Sequence, residues 1–293
     1  MPDISIILPT YNRAHIVSNA IDSVLKQTFR DFELIIVDDC STDHTKDLIA
    51  SYTDSRISYL CTDNNSGAAA ARNYGAITAA APYLAFCDSD VVWAVDKLER
   101  QMNYMSDHPD ASLVFHSFFS IQGNQTILEP DQKRLPSLST HIFFDLLMAP
   151  LIDTPSILMR TEVFKRTGGF LETLKSHEDY EFSLRVAKDY EIGHLPESLL
   201  YSYHVDAGVN SNYHEILKTN FYILNLYMDI ISAHPDIEAA QMERLFYYTI
   251  LGNDGQYFFD QLAPYVTATG HPDLYYKYEK KYNDIREQLL HSE

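Results

Sequence analysis

The first ninety residues alternate short apolar runs with amphipathic stretches. Ile4-Ser5-Ile6-Ile7-Leu8, ended by Pro9, and Glu33-Leu34-Ile35-Ile36-Val37 are compact apolar runs that predict buried strands. Between them Val17, Ala20, Ile21, Val24 and Leu25 recur at helical spacing and predict one apolar helix face. Asp43 is placed to cap a following helix. Ile57 to Leu60 predicts a third strand, the alanine-rich stretch Gly67 to Ala80 a helix, and Pro82 to Phe86 a fourth strand. Strands that alternate with helices and are apolar on both faces predict an α/β fold with a mostly parallel sheet covered by helices.

The pattern loosens further on. Ser112 to Phe119 and Ile157-Leu158-Met159 are strand-like, and residues 122 to 137, polar with two prolines, read as a loop. Gly168-Gly169-Phe170 marks a turn, and a helix is expected from Glu178 to about Lys188. Leu199 to Tyr203 is strand-like again and is followed by His204. From about residue 214 the chain is helical by pattern and rich in Tyr and Phe, as in Phe246-Tyr247-Tyr248 and Tyr275-Tyr276-Lys277-Tyr278. The expected division is therefore a sheet domain over 1–213 and a helical C-terminal extension over 214–293. His-Pro-Asp occurs at 108, 234 and 271 with unequal spacing, which is no repeat; a proline near a helix start explains it.

Composition narrows the partners. The 293 residues are 46% hydrophobic, enough for a real core. Forty-one acidic against 22 basic residues give a formal net charge of -19, which repels nucleic-acid phosphates and anionic lipids. A nucleotide is still admissible, because a divalent cation and a few amides can hold two phosphates in a negative protein. Cys40, Cys61 and Cys87 show no metal or redox spacing and suggest reduced, mostly buried thiols in a cytoplasmic protein. No signal peptide and no apolar run near the ~20 residues of a membrane span are evident. Docking to a membrane partner, and pairing of copies through the C-terminal helices, remain open.

In parallel α/β sheets ligands bind beyond the carboxyl ends of the strands. There lie Pro9-Thr10-Tyr11-Asn12-Arg13, Asp38-Asp39-Cys40-Ser41 and Asp88-Ser89-Asp90. Two carboxylates one residue apart at a strand end can share a hard cation, or split between cation and ribose; Mg²⁺ and Mn²⁺ bridge such carboxylates to diphosphate oxygens. Asp-x-Asp alone is more often a solvated turn. Asp39 can accept from a base imide N–H, which favours uracil or thymine, while capping by Asp38-Asp39 is the plainer alternative. Glu178-Asp179 suits a helix N-terminus through the macrodipole, and equally offers a general base for a hydroxyl. His204 becomes a ligand candidate only if its strand ends near Asp90.

Taken in order, Pro9 to Arg13, Val37 to Asp43, Gly67 to Asn73, Asp88-Ser89-Asp90, Gly168-Gly169-Phe170 and Glu178-Asp179 resemble the family-2 inverting glycosyltransferases of the GT-A fold, over residues 3 to 205. The resemblance implies a Rossmann-like sheet flanked by helices, with Mn²⁺ or Mg²⁺ as cofactor. Pro9, Thr10, Tyr11, Arg13, Gly67 and Ser89 would line the nucleotide pocket, and Asp39 would hold the base. Arg72 would sit near the diphosphate or stabilise the loops beneath it. Asp88 would face the ribose, and Asp90 would bind the metal, with His204 completing that site. Asp179 would be the catalytic base with Glu178 helping the acceptor, and Trp93 would form a wall for sugar or acceptor. The implied partners are a nucleotide-sugar donor, UDP favoured, and a glycan or glycoconjugate acceptor of cell-surface polysaccharide synthesis. Cys40 stands where the family commonly has Gly, Val91 where a third acidic residue often follows, and Ser202 where Arg is usual. A nucleotidyltransferase is the competing enzyme class, but its glycine-rich basic loop after the first strand is absent; a non-catalytic binding module on the same fold is the other alternative.

Overall fold

The computed structural model describes residues 1–130, 141–203 and 212–290. In chain order the first elements are β1 (Ile4–Thr10), α1 (Val17–Leu25), β2 (Phe32–Asp38), α2 (Thr45–Ala50), β3 (Ile57–Cys61), α3 (Ala68–Thr78), β4 (Tyr83–Phe86) and β5 (Val91–Trp93). There follow α4 (Lys97–Asp107), β6 (Ala111–Gln122), β7 (Gln125–Glu129), α5 (Phe143–Met148), β8 (Leu158–Arg160), α6 (Thr161–Thr167), α7 (Glu178–Asp189) and β9 (Glu191–Tyr203). Among the described residues all nine strands join one sheet, in the order β3-β2-β1-β4-β8-β6-β9-β5, with β7 paired to β6.

The run β3-β2-β1-β4 is parallel, as the alternation predicts. Beyond it the sheet is mixed: β8 is antiparallel to β4 and β6, β5 is antiparallel to β9, and β6 and β9 are parallel. β8 matches the strand expected at Ile157-Leu158-Met159, while the three residues of β5 are too few for a period to show in sequence. The expected loop at 122 to 137 contains β7. Gln122 pairs with Gln125 across Gly123-Asn124, a two-residue glycine-bearing turn of the kind that closes hairpins. Residues 131–140 lie outside the described residues.

Every residue of β1 is buried, so both faces of the sheet are covered. Ile4, Ile6 and Leu8 pack with Val17, Ala20, Ile21 and Val24 of α1. Full burial of Val17, Ile21 and Val24 contributes roughly 5–9 kcal/mol before entropy is subtracted. Ile7 points to the other face, under α3. There a Cβ on Gly75 would lie 2.6 Å from Ile7 Cγ2 and 3.0 Å from Val37 Cγ2, so the missing side chain is what lets α3 sit this low on the sheet.

The described residues fall into two compact units. The first draws on Met1–Leu146, Pro150–Thr173 and Glu178 to the end of β9; the second comprises Leu147–Ala149, Leu174–His177 and the residues from 212 onward. In the second, α8 (Tyr213–Leu226), α9 (Met228–Ser232), α10 (Pro235–Gly252), α11 (Gly255–Thr269) and α12 (Pro272–Leu290) surround an aromatic core. Phe258 lies 5.8 Å from Phe221 and 5.9 Å from Phe246, and Tyr278 lies 5.2 Å from Phe246. Much of the Tyr and Phe richness is therefore interior packing. Pro235 and Pro272 open α10 and α12 as expected, whereas Pro109 follows the end of α4 and lends its carbonyl to Arg160. Of the three free cysteines only Cys87 is buried; Cys61 is exposed and Cys40 intermediate, which corrects the expectation of mostly buried thiols. Among the described residues no helix is long and apolar enough to cross a membrane.

Candidate active site

The loops after β1 and β2 are stitched together. Asp39 N donates to Thr10 O at 2.8 Å, Asn12 N to Ser41 Oγ at 2.8 Å, Arg13 N to Thr45 Oγ1 at 3.0 Å and Ala14 N to Asp43 Oδ2 at 3.1 Å. Asn12 and Cys40 take positive φ, 52° and 66°, where these loops fold over one another. Partial desolvation opposes the charge of Asp43, but hydrogen bonds from Thr45 and Ala14 hold its carboxyl below the ordinary range. Pro9 and Thr10 are buried at the end of β1, and among the described residues Thr10 Oγ1 has no hydrogen-bond partner. Tyr11 is 43% exposed beyond them.

Asp38 and Asp39 are both buried and do different things. Asp38 accepts from Ser41 N at 2.9 Å and from Tyr59 Oη at 2.8 Å, which closes its own loop. Asp39 accepts from Thr62 Oγ1 at 2.9 Å, Ser66 N at 3.0 Å and Gly67 N at 2.7 Å, so it holds the entry to α3. A carboxylate offers about four acceptor sites, so three internal donors leave Asp39 about one more.

Arg72 of α3 gathers the acids. Its Nη2 donates to Asp88 Oδ1 at 2.7 Å and its Nη1 to Glu178 Oε1 at 2.7 Å. Asp88 and Glu178, distant in sequence, are thereby joined by one guanidinium that is 5% exposed. Burial works against this charge, but Asp88 and Glu178 outweigh it and raise the Arg72 pKa further. The next residue, Asn73, clamps the Gly168-Gly169-Phe170 turn: its Nδ2 donates to Phe170 O at 2.8 Å and its Oδ1 accepts from Phe170 N at 2.9 Å. Phe170 then packs 4.7 Å from Phe182 and 5.4 Å from Phe86, with the Arg72 guanidinium 5.6 Å from its ring centroid.

Asp179 follows at the start of α7, where its Oδ1 accepts from Tyr180 N at 2.8 Å. Burial raises its pKa, with Arg72 pulling the other way. Burial likewise raises that of Glu178 against the pull of Arg72. One further acid stands here that no motif announces. Burial and the charges of Asp179 and Asp88 push the pKa of Asp153 well up. Its only trace in the sequence is a place ahead of the Thr154-Pro155-Ser156 turn.

Asp88-Ser89-Asp90 follows β4, with Cys87 N bonded to Ile7 O at 2.9 Å and all three residues partly buried. The antiparallel pair β5–β9 brings the end of β9 here: Tyr203 N donates to Asp90 O at 3.0 Å. The strand before His204 thus does end at Asp90, while His204 itself lies outside the described residues. Trp93 departs from its expected role. It is 4% exposed within the core cluster, with Lys97 Nζ 3.9 Å from its ring centroid, and so offers no wall to a ligand. Lys97 is fully buried, and desolvation brings its pKa down to about 7.

Among the described residues no group of three or more His, Cys, Asp or Glu side chains is disposed to hold a metal ion. Mg²⁺-type sites commonly use one or two carboxylates and complete the shell with substrate phosphates and water, and the Asp88-to-Asp90 turn is a hard-oxygen donor set of that kind. Two surface hollows lie away from this cluster, one over Ile49, Tyr52 and Tyr59 and one beside Tyr83 and Arg160.

The parallel half of the sheet ends in paired loops, and acids from two separate segments, Asp88 after β4 and Glu178 at the start of α7, meet there on one buried arginine. Residues 5–168 match the model of Glycosyl transferase family 2, and the chain belongs to that family. It is 30% identical over 227 residues to the putative teichuronic acid biosynthesis glycosyltransferase TuaG of Bacillus subtilis, covering 76% of this chain and 87% of the relative. It is 39% identical over 124 residues to the UDP-Glc:alpha-D-GlcNAc-diphosphoundecaprenol beta-1,3-glucosyltransferase WfgD of Escherichia coli, covering 42% of this chain and 49% of that one. The crystal structure of S. aureus TarS 1-349 in complex with UDP-GlcNAc superposes with a TM-score of 0.67 at 20% identity, over 97% of this chain and 92% of that one. The fold is thus the GT-A arrangement, with helices following the sheet.

Proposed function

We propose that this chain is an inverting, metal-assisted glycosyltransferase that moves a sugar from a UDP-sugar to a hydroxyl acceptor in cell-surface polysaccharide or glycoconjugate synthesis. The observation that carries the reading is Arg72, which binds Asp88 from the end of β4 and Glu178 from the start of α7 and so sets Asp179 beside the strand-end acids. The relatives named for teichuronic acid and diphosphoundecaprenol substrates support the polysaccharide setting, and the UDP-GlcNAc complex of TarS supports the donor class.

Pro9, Thr10, Tyr11, Arg13 and Gly67 would line the nucleotide, with Tyr11 offering a ring face to the base and Asp39 its remaining acceptor site to the imide. Asp88 and Ser89 would face the ribose. Asp90 would hold Mn²⁺ or Mg²⁺, aided by His204; such a cation, when bound, neutralises charge on the departing diphosphate. Asp179 would take the acceptor proton as its oxygen attacks the anomeric carbon from the face opposite the leaving group, and the configuration inverts. General bases contribute typically 10²- to 10⁴-fold. Of the two roles open to Arg72, its ion pairs favour stabilising the site over touching the diphosphate, and Glu178 serves that same bridge.

The test is a calorimetric donor screen with and without Mn²⁺, followed by transfer assays on Asp179→Asn. Donor binding should survive in the variant while turnover falls at least 100-fold. Equal loss of both removes the base assignment.

A further inference from the structure

The strands beyond the acidic turn carry an exposed aromatic face. Tyr201 and Tyr203 of β9 are 41% and 38% exposed, while Leu200 is fully buried, as alternation along a strand requires. Register sets their neighbours. Tyr201 lies beside Val92 of β5 and Phe119 of β6, and Phe119 lies beside Leu128 of β7. Partners in register share a face, so these four residues form one row. The Tyr201 and Phe119 rings are 5.6 Å apart with planes 24° from parallel, a contact that holds Tyr201 in place. The next row on this face contains Tyr203, Ile121 and Thr126.

That second row ends at the acidic turn. Tyr203 N donates to Asp90 O at 3.0 Å. Val91 and Trp93 are buried, so alternation directs Asp90 and Val92 to the opposite side of the strand, the side of the two tyrosines. The nucleotide is assigned to the loops after β1 and β2. The aromatic face lies on β9, β6, β5 and β7, beyond β4 and β8 in the sheet order. Asp88-Ser89-Asp90 leads from β4 to β5 and so joins the two regions.

The chemistry of the face selects its occupant. A tyrosine ring has an electron-rich face and a hydroxyl at one end. A pyranose matches both, with C–H bonds across one face and hydroxyls around its rim. A lipid tail makes no use of the phenol hydroxyls, and an anionic membrane surface repels a protein of net charge -19.

We propose that this face is the acceptor platform: the terminal sugar ring of a glycan acceptor lies against Tyr201 and Tyr203, with its reacting hydroxyl toward Asp90. This rests on the reading of Asp90 as part of the reaction centre. The wall that Trp93 does not supply is supplied by the other face of the same strand pair.

The test titrates methyl glycosides of glucose, galactose, mannose, rhamnose, N-acetylglucosamine and N-acetylgalactosamine into the full chain saturated with UDP and Mg²⁺, followed by ligand-observed NMR. At least one glycoside should bind, and Tyr201→Ala and Tyr203→Ala should each weaken it about fivefold or more, the loss expected when a ring at the centre of a contact is truncated. Tyr201→Phe, which keeps the ring, should stay within about twofold of the wild type. UDP affinity, read by calorimetry, should be the same in all three variants. Undiminished glycoside binding in both alanine variants, or none in a wild type that binds UDP, overturns the proposal. A loss of UDP affinity in the alanine variants assigns the tyrosines to the donor and overturns it as well. So does tyrosine-dependent binding to phosphatidylglycerol vesicles, which marks a membrane contact. A wild type that binds no UDP removes the donor reading beneath this inference, a result distinct from all of these.

Discussion

Replacing Arg72 by methionine keeps most of the volume but removes the charge that two acids share. Both ion pairs are 2.7 Å long, and the side chains of Asp88 and Glu178 are 26% and 15% exposed. Removing one partner of a buried pair costs about 3–5 kcal/mol, and the partial exposure of these acids argues for the low end, about 3 kcal/mol. The loss must depend on pH. Burial already raises the pKa of Glu178 and Asp179 in the native state against the pull of Arg72, and without Arg72 they rise further. A carboxyl whose folded pKa lies above its unfolded value destabilises as pH climbs through that window, so the penalty grows from acid to neutral pH. Urea unfolding should be followed by the fluorescence of Trp93, the single tryptophan, which sits in the first unit and reports that unit alone. The expected difference is about 3 kcal/mol at pH 7.5 and about half that near pH 4.5. A loss under about 1 kcal/mol, or one that ignores pH, would refute the claim that Arg72 balances the cluster.

Three further outcomes can be checked. Asp90→Ala should weaken UDP-sugar binding in calorimetry only when Mn²⁺ or Mg²⁺ is present; unchanged metal dependence would remove the cation from Asp90. Lys97 gives up its proton at about pH 7 in the folded protein, against about 10.4 unfolded, so stability should rise with pH across that interval at up to about 1.4 kcal/mol per unit. The contact with Trp93 favours the charged form and trims that slope. Lys97→Met should flatten it, and matching slopes between pH 7 and pH 9 would discredit the buried-amine account. Gly75→Ala gains about 1 kcal/mol in helix propensity but forces a Cβ to 2.6 Å from Ile7 Cγ2, an overpacking cost of about 1–3 kcal/mol, so a net loss near 1 kcal/mol is expected in urea melts. An equal or higher midpoint would mean that α3 can lift off the sheet at no cost.

What the sequence disclosed follows from how locally each feature is encoded. β1, β2 and α1 were legible because burial on one or both faces imposes a period, and Asp88, Asp90, Glu178 and Asp179 because strand ends and helix starts are marked by composition. β8 shows as the apolar run Ile157-Leu158-Met159, whereas β5 does not, since three residues carry no period and its pairing comes from the distant β9. The β6–β7 hairpin was overlooked because a polar edge strand resembles a loop, although Gly123-Asn124 was a usable sign. Trp93 was misplaced because an aromatic next to an acidic turn suggests a ligand wall, whereas here it covers a buried lysine. Asp153 could not be found in sequence at all: what marks it is burial near the charges of Asp179 and Asp88.

The Asn73–Gly169 contact constrains how this chain can change. Gly169 has φ +70°, and a Cβ placed on it would lie 2.6 Å from Asn73 Oδ1. Position 169 therefore cannot acquire a side chain while position 73 keeps its amide, and losing that amide frees the turn beneath Phe170. The Phe164 ring, 3.1 Å from the same Cβ, and the positive φ close the position independently, so replacing Asn73 alone would not open it to a larger residue.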